Sequence, residues 1–312
     1  MHLFRSILVL LLLTSYNSFA NNEPFESTYY PLTQSNILFK GGNIYDGDGN
    51  EFLNTDVIIS NGVIVAIGED LPVSEDTIIK DVTGKWITPG IIDIHSHMGV
   101  YRAPGVSTSS DGNEPTSPVT AEVWAEHSMW VQDPQYALAL AGGVTTFHVL
   151  PGSANLIGGR GVTVKNLQRN TINSMKFPDA PHSLKMACGE NPKRVYGNRG
   201  QMPSTRMGNV AGYRKSWIKA EGYLSKLEEY EAKSDEAKEL SYKPTRDLEL
   251  ETLAGVLKDE ILVHNHCYRA EEMATMIEIA KEFNYKIPAF HHAIEAYKIA
   301  DLLAERSEER RV

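Results

Sequence analysis

The chain has 312 residues, 42% hydrophobic and 22% charged, with 24 Gly, 15 Pro and 2 Cys, which excludes a disordered, collagen-like or disulfide-built chain. Its 40 acidic against 30 basic residues give a formal charge of −10, which speaks against a nucleic-acid surface or a basic membrane-adhering patch and leaves small molecules as the expected partners. At the N-terminus, Met1 to Arg5 carry positive charge, Ser6 to Leu13 are apolar, and Ser18-Phe19-Ala20 ends in small residues. This order reads as a secretory signal peptide over 1–20, cleaved near Ala20. It predicts an exported, periplasmic or secreted protein without a stable membrane anchor, because the apolar run is too short for about 30 Å of hydrocarbon.

Beyond the signal, Ile37 to Lys40 and Val57 to Ile67 are β-rich, and Asn61-Gly62 between apolar flanks is a strong hairpin signal. Residues 21–85 are therefore expected to form a small β-structure. After Thr88-Pro89-Gly90 the pattern changes to short buried strands alternating with helices, predicted near 91–95, 143–150, 162–165, 183–188, 260–264 and 287–291, which implies parallel βα units over 86–312. Met273, Met276, Ile277 and Ala280 recur at helical spacing within Glu271 to Phe283, and a second helix is expected over Ile294 to Ala304. Residues 213–242 are polar and charge-laced, the pattern of an exposed helical insertion. Cys188 and Cys267 are compatible with a disulfide in an exported protein, although nothing in the sequence requires one.

Chemistry concentrates in the histidines. Six of the ten form three pairs, His95/His97, His264/His266 and His291/His292, each at the expected C-terminal end of a strand, where parallel barrels build their active sites. Residues two apart on a strand share a side, so His95 and His97 can both offer nitrogen to one metal ion.

The run Trp86-Ile87-Thr88-Pro89-Gly90-Ile91-Ile92-Asp93-Ile94-His95-Ser96-His97 resembles the start of the metal-dependent amidohydrolase superfamily, and Gly41 to Gly47 resembles the small β-sandwich preceding the barrel in exported, imidazolonepropionase-related members. The resemblance implies a (β/α)8 TIM-type barrel after that β-sandwich, holding one or two divalent ions, with Zn2+ as the expected metal. Carried over residue by residue, it implies His95 and His97 as first-strand ligands, Lys185 as a carbamylated fourth-strand bridge with Lys165 as its rival, His264 on the fifth strand, and His292 in preference to His291 on the sixth. His264 and His266 are the candidate catalytic pair; Glu190 is a candidate ligand or orienting acid. His148, Arg160, Arg194 and Arg269, with Asn191, are candidate substrate contacts.

The implied reaction is hydrolysis of an amide or cyclic amide through a metal-activated water. Six strands are legible, so the barrel is expected to be incomplete at its C-terminal end, lacking the eighth-strand Asp that serves the family as base. Alternatives are a catalytically incomplete metal-binding fragment or pseudoenzyme, a dipeptidase or prolidase-like enzyme, and a phosphoester hydrolase on the same metal site. A small amide or peptide-like substrate and a homo-oligomer are the expected partners.

Overall fold

The computed structural model describes residues 25–32 and 35–306; the expected signal peptide lies outside them. Among the described residues no helix is long and apolar enough to cross a membrane.

The N-terminal strands β1 (Ile37–Tyr45), β2 (Glu51–Ser60), β3 (Val63–Gly68), β4 (Ile78–Asp81) and β5 (Trp86–Ile87) belong to one five-stranded sheet of order β3-β2-β1-β4, with β5 also on β1. Asn61 and Gly62 join β2 to β3 with φ of 51° and 77°. Both values are positive, as a type I′ hairpin turn requires, and Asn-Gly adopts them at little cost.

The second sheet has six strands in the order β11-β10-β9-β8-β7-β6: β6 (Ile91–Ser96), β7 (Val144–Val149), β8 (Ile157–Lys165), β9 (His182–Ala187), β10 (Ile261–Cys267) and β11 (Ala289–His292). It curls into a nearly closed, barrel-like α/β unit, so that His95 of one edge strand and His291 of the other stand 2.7 Å apart across the interior. One strand departs from the expected parallel order: β8 is antiparallel to both β7 and β9, whereas β6–β7, β9–β10 and β10–β11 are parallel. Parallel neighbours need a crossover of about a dozen residues or more. The link 150–156 is too short for one, so the chain turns back.

Helices cover the outer face. They are α1 (Gln135–Ala141), α2 (Glu190–Gly197), α3 (Arg206–Glu231), α4 (Asp235–Glu239), α5 (Leu248–Leu257), α6 (Ala270–Glu282) and α7 (Ala300–Arg306). Leu184, Met186, Ile261 and Val263 from the strands pack in one apolar cluster with Tyr213 and Trp217 of α3, Leu253 and Val256 of α5, and Met273, Met276 and Ile279 of α6. The segment 213–242, expected as an exposed helical insertion, is helical over most of its length, and its first helix, α3, also packs on the sheet, burying Asn209, Tyr213, Ser216, Trp217, Ala220 and Tyr223 along one stripe. Its charges occupy the opposite face, and the charge count masked a stripe of aromatic and small residues at helical spacing. Thr205 caps this helix, its side chain accepting from the Gly208 amide at 3.0 Å.

Candidate metal centre

Strand alternation sends Leu184, Met186 and Val263 to the outer apolar cluster and their neighbours inward. His264 is in register with Lys185 on one side and Ala289 on the other; His266 is in register with Ala187 and His291. The inner face therefore gathers Ser183, Lys185, His264, His266 and His291, joined by His148 from β7, by His95 from β6 and by His97 just after it.

The imidazoles touch in a chain. His97 Nδ1 lies 2.7 Å from the Leu150 carbonyl oxygen, and its Nε2 is 3.3 Å from Nε2 of His95. His95 Nδ1 is 2.7 Å from His291 Nδ1, and His291 Nε2 is 2.8 Å from His264 Nδ1. His291, buried, thus occupies the position between His95 and His264. His292 is exposed, in the left-handed region with φ of 65°, its ring 4.4 Å from that of His266 and 5.0 Å from that of His95. A signal for the inward role of His291 was present in the sequence, since Phe290 is the apolar, outward member of the alternation. His266 is 1% exposed, its Nε2 3.2 Å from the Asn191 amide nitrogen and its Nδ1 without a partner.

Lys185 is 0% exposed, and its amine has no hydrogen-bond partner among the described residues. Burial pushes the amine down to about 7, since the charged form cannot be solvated there. Desolvation, reinforced by the Lys185 charge, brings His95 down to about 3; desolvation also brings His264 and His266 to about 3 and His148 to about 4. The rings are held neutral, the form in which imidazole binds metals. Lys165, the rival lysine, sits with its amine 4.3 Å from the Phe177 ring centroid and 4.7 Å from that of Tyr29. The reversed direction of β8 carries it away from the histidine rim, in register with Thr146.

Other expected site residues are placed differently. His148 has both nitrogens engaged, Nδ1 with Thr163 Oγ1 at 2.9 Å and Nε2 with Ser183 Oγ at 2.8 Å, which makes it part of the supporting framework. Arg160 lies 4.3 Å over the Trp124 ring and donates to Thr252 Oγ1 at 2.9 Å. Arg269 pairs with Glu271 on the surface, Arg194 is exposed on α2, and Glu190 begins that helix. A cavity of about 590 Å³ is lined by Val100, Pro151 and Gly158 and by Asp111, Glu114, Glu122 and Trp124; among the described residues neither Lys185 nor any of the clustered histidines lines it. Among the described residues no lysine or arginine lines it. At the rim Cys188, after β9, and Cys267 of β10 are joined by a disulfide.

The residues fit a divalent ion by chemistry. Two imidazole nitrogens on one tetrahedral ion, each about 2.0–2.1 Å from it, stand roughly 3.3–3.4 Å apart, and the His95 and His97 Nε2 atoms have that spacing. Among the described residues no set of three His, Cys, Asp or Glu side chains forms a ready-made ion-binding group. A third ligand must come from elsewhere, and the orphaned Lys185 amine is one such position.

With this geometry in place, comparison with known proteins assigns the class. The described fold matches the crystal structure of an amidohydrolase from Thermotoga maritima with a TM-score of 0.78 and 40% identity, covering 86% of this chain and 67% of that one. Amidohydrolase tasK of Hapsidospora irregularis is 34% identical over 266 residues, 80% of this chain and 27% of that protein. A dihydroorotase of Citrifermentans bemidjiense is 38% identical over 76 residues, 24% of this chain and 17% of its own length. No family model matches. This chain belongs to the metal-dependent amidohydrolase superfamily. It spans about a quarter, or less, of the length of these two curated relatives.

Proposed function

We infer that the chain carries the metal-holding part of a hydrolase that cleaves carbon–nitrogen bonds in amides or cyclic amides. The observation that carries this reading is Lys185, a fully buried amine with no partner, in register beside His264 and among neutral imidazoles. An unpaired buried amine costs stability, and a pKa near 7 leaves a large neutral, nucleophilic fraction at neutral pH. The neutral nitrogen adds to the carbon of CO2, a carbon–nitrogen bond forms and one proton leaves. The product is an anionic carbamate with two oxygens to offer.

His95, His97 and the Lys185 carbamate would hold the ion, with further imidazoles from β10 and β11, His264 and His292 in the family pattern. When bound, a divalent ion such as Zn2+ polarises the scissile carbonyl and acidifies water. The chain's own residues do the rest of the work described here. The Leu150 carbonyl fixes His97 with its proton on Nδ1; His148, through Ser183 and Thr163, holds β7, β8 and β9 in register beneath Lys185; the cavity beside Val100 and Gly158 receives substrate. Completion to a (β/α)8 barrel is supported by the exposed Ile91, Ile92 and Ile94 of edge strand β6, and a β-sandwich partner for the small sheet by exposed Val63 and Val65. The disulfide supports an exported protein, since such bonds persist in oxidising compartments.

The test is elemental analysis of the purified full chain, prepared with and without bicarbonate, beside hydrolysis of amides, cyclic amides, dipeptides and phosphoesters with added zinc. One or two ions per chain with amide turnover is the expected result. Metal without turnover would leave a metal-binding protein, and preferential phosphoester turnover would move the chain to another reaction class.

A further inference from the structure

We propose that residues 25–30 are a strap that fixes one wall of the 590 Å³ cavity, with Phe25 as a positioning residue for Trp124 and His127. This rests on the reading that the cavity receives substrate.

Residues 26–32, ahead of β1, form neither helix nor strand, and an irregular segment near a terminus frays unless it is tied down. Here the ties run to the link between β8 and β9. The Thr28 amide donates to the Asn173 carbonyl oxygen at 2.9 Å, and Ser27 Oγ donates to that of Lys176 at 2.9 Å. Farther along, the Lys165 amine lies against the rings of Tyr29 and Phe177, and the Arg169 guanidinium is 5.6 Å from the Tyr30 ring centroid. Lys176 joins the strap to the wall. It is 7% exposed, and its ammonium donates to the Phe25 carbonyl oxygen and, at 2.9 Å, to Glu126 Oε1. Glu126 is itself buried, in the single 3₁₀ turn Ala125–His127. An ammonium has three donors and no acceptor, and burying one is costly unless they are engaged. The strap carbonyl therefore supplies an acceptor for a cation whose counter-ion belongs to the wall.

Phe25 makes the side-chain contact. Its ring centroid lies 4.6 Å from that of His127 and 5.7 Å from that of Trp124, edge-on to both, and those two rings stack at 5.3 Å. Trp124 and His127 line the cavity, whereas Phe25 is not among its lining residues, so it acts through them. The 3₁₀ turn between them has no side-chain cap, and one turn holds itself weakly. Phe25 has φ of 68°, a left-handed backbone that a bulky residue adopts at a cost and keeps only where its surroundings over-determine it. Two other lining residues tie the cavity to the metal centre. Pro151 follows Leu150, which accepts from His97, and a Cβ on Gly158 would lie 3.6 Å from the Lys185 carbonyl oxygen. Fixing Trp124 and His127 thus sets the width of the cavity at the end away from the histidines, and with it what the cavity admits.

The experiment compares the full chain with Phe25→Ala, the conservative Phe25→Tyr, and Thr28→Pro, which removes the amide that bonds Asn173. Hydrogen–deuterium exchange reads the His127 and Ser128 amides, which bond to the Trp124 and Ala125 carbonyl oxygens. In Phe25→Ala these should exchange about 10-fold faster, the equivalent of one lost aromatic contact, with β9 and β10 unchanged. Phe25→Tyr should restore wild-type protection, and Thr28→Pro should loosen the same amides from the far end of the strap. On an amide that the wild-type chain hydrolyses, Phe25→Ala should raise KM about 5- to 10-fold at constant kcat, the pattern of lost ground-state binding. Unchanged exchange at His127 and Ser128 overturns the strap. Faster exchange throughout β9 and β10 overturns it as well, since Phe25 would then support the whole fold. Faster local exchange with an unchanged KM overturns its role toward substrate. A wild-type chain that hydrolyses no amide overturns the reading of the cavity and that role with it, while the exchange data still decide whether the strap holds the wall. Thr28→Pro decides the matter if Phe25→Ala does not fold.

Discussion

The two faces of the six-stranded sheet are built from the same strands and obey opposite rules. On the outside, Leu184, Met186, Ile261 and Val263 meet helices through hydrocarbon contacts and leave little exposed. One residue along each strand, on the inside, Lys185 and His266 are buried and His264 half-buried, and the Lys185 amine and His266 Nδ1 have no hydrogen-bond partner among the described residues. The outer face gains from burial, while the inner face spends some of that stability on groups poised to bind. A period of two therefore separates what holds the fold from what the fold is for.

The largest expected effect tests the outer face. Trp217→Ala empties a fully buried site on α3 and should cost about 3–5 kcal/mol, read as a lower urea midpoint, while the folded fraction binds zinc as before; loss of zinc binding in that fraction would couple the faces. On the inner face the sign should reverse. Lys185→Met removes an unpaired amine from an apolar-compatible site and should stabilise the metal-free protein by about 1–3 kcal/mol while lowering its metal content. A lower melting temperature would show that the amine has a partner in solution.

Acid sharpens the contrast next. The inner imidazoles of His95, His264 and His266 are held near 3, below the ordinary value of about 6.5 that they regain on unfolding. The unfolded state thus binds more protons between those values, and stability should fall as pH drops from about 6.5 towards 3. Melting curves at pH 7, 6, 5 and 4 on the metal-free protein should show this decline, and His266→Gln should make it shallower. The smallest effect is local to α3: Thr205→Ala removes its cap and should cost about 1 kcal/mol in chemical denaturation.

Much of this was legible because the signals were local. The Asn61-Gly62 turn, the helix around Met273 and Met276, and the three histidine pairs all follow from residue type and spacing. The antiparallel direction of β8 depended on the shortness of the link 150–156, a cue that apolar runs alone do not carry. The buried stripe of α3 was hidden beneath a high count of charges on its other face. Among the site residues, His95, His97, Lys185, His264 and His266 share one interior, and His291 enters it by strand parity. Arg160, Arg194 and Arg269 do not line the cavity, because a positive charge in sequence says nothing about where a strand or helix will point it.

The reversed strand β8 has a consequence for how the molecule forms. Strands β7, β8 and β9 make a meander whose neighbours meet through the links 150–156 and 166–181, without waiting for a crossover helix, whereas β9 and β10 must close a loop that contains α2, α3, α4 and α5. Short loops close with less entropy loss than long ones, and local contacts form sooner. The meander, with Lys185 and His148 already in place, should be among the earliest ordered parts of the sheet. The β10 and β11 histidines would then be added to a half-built pocket instead of assembling it from nothing.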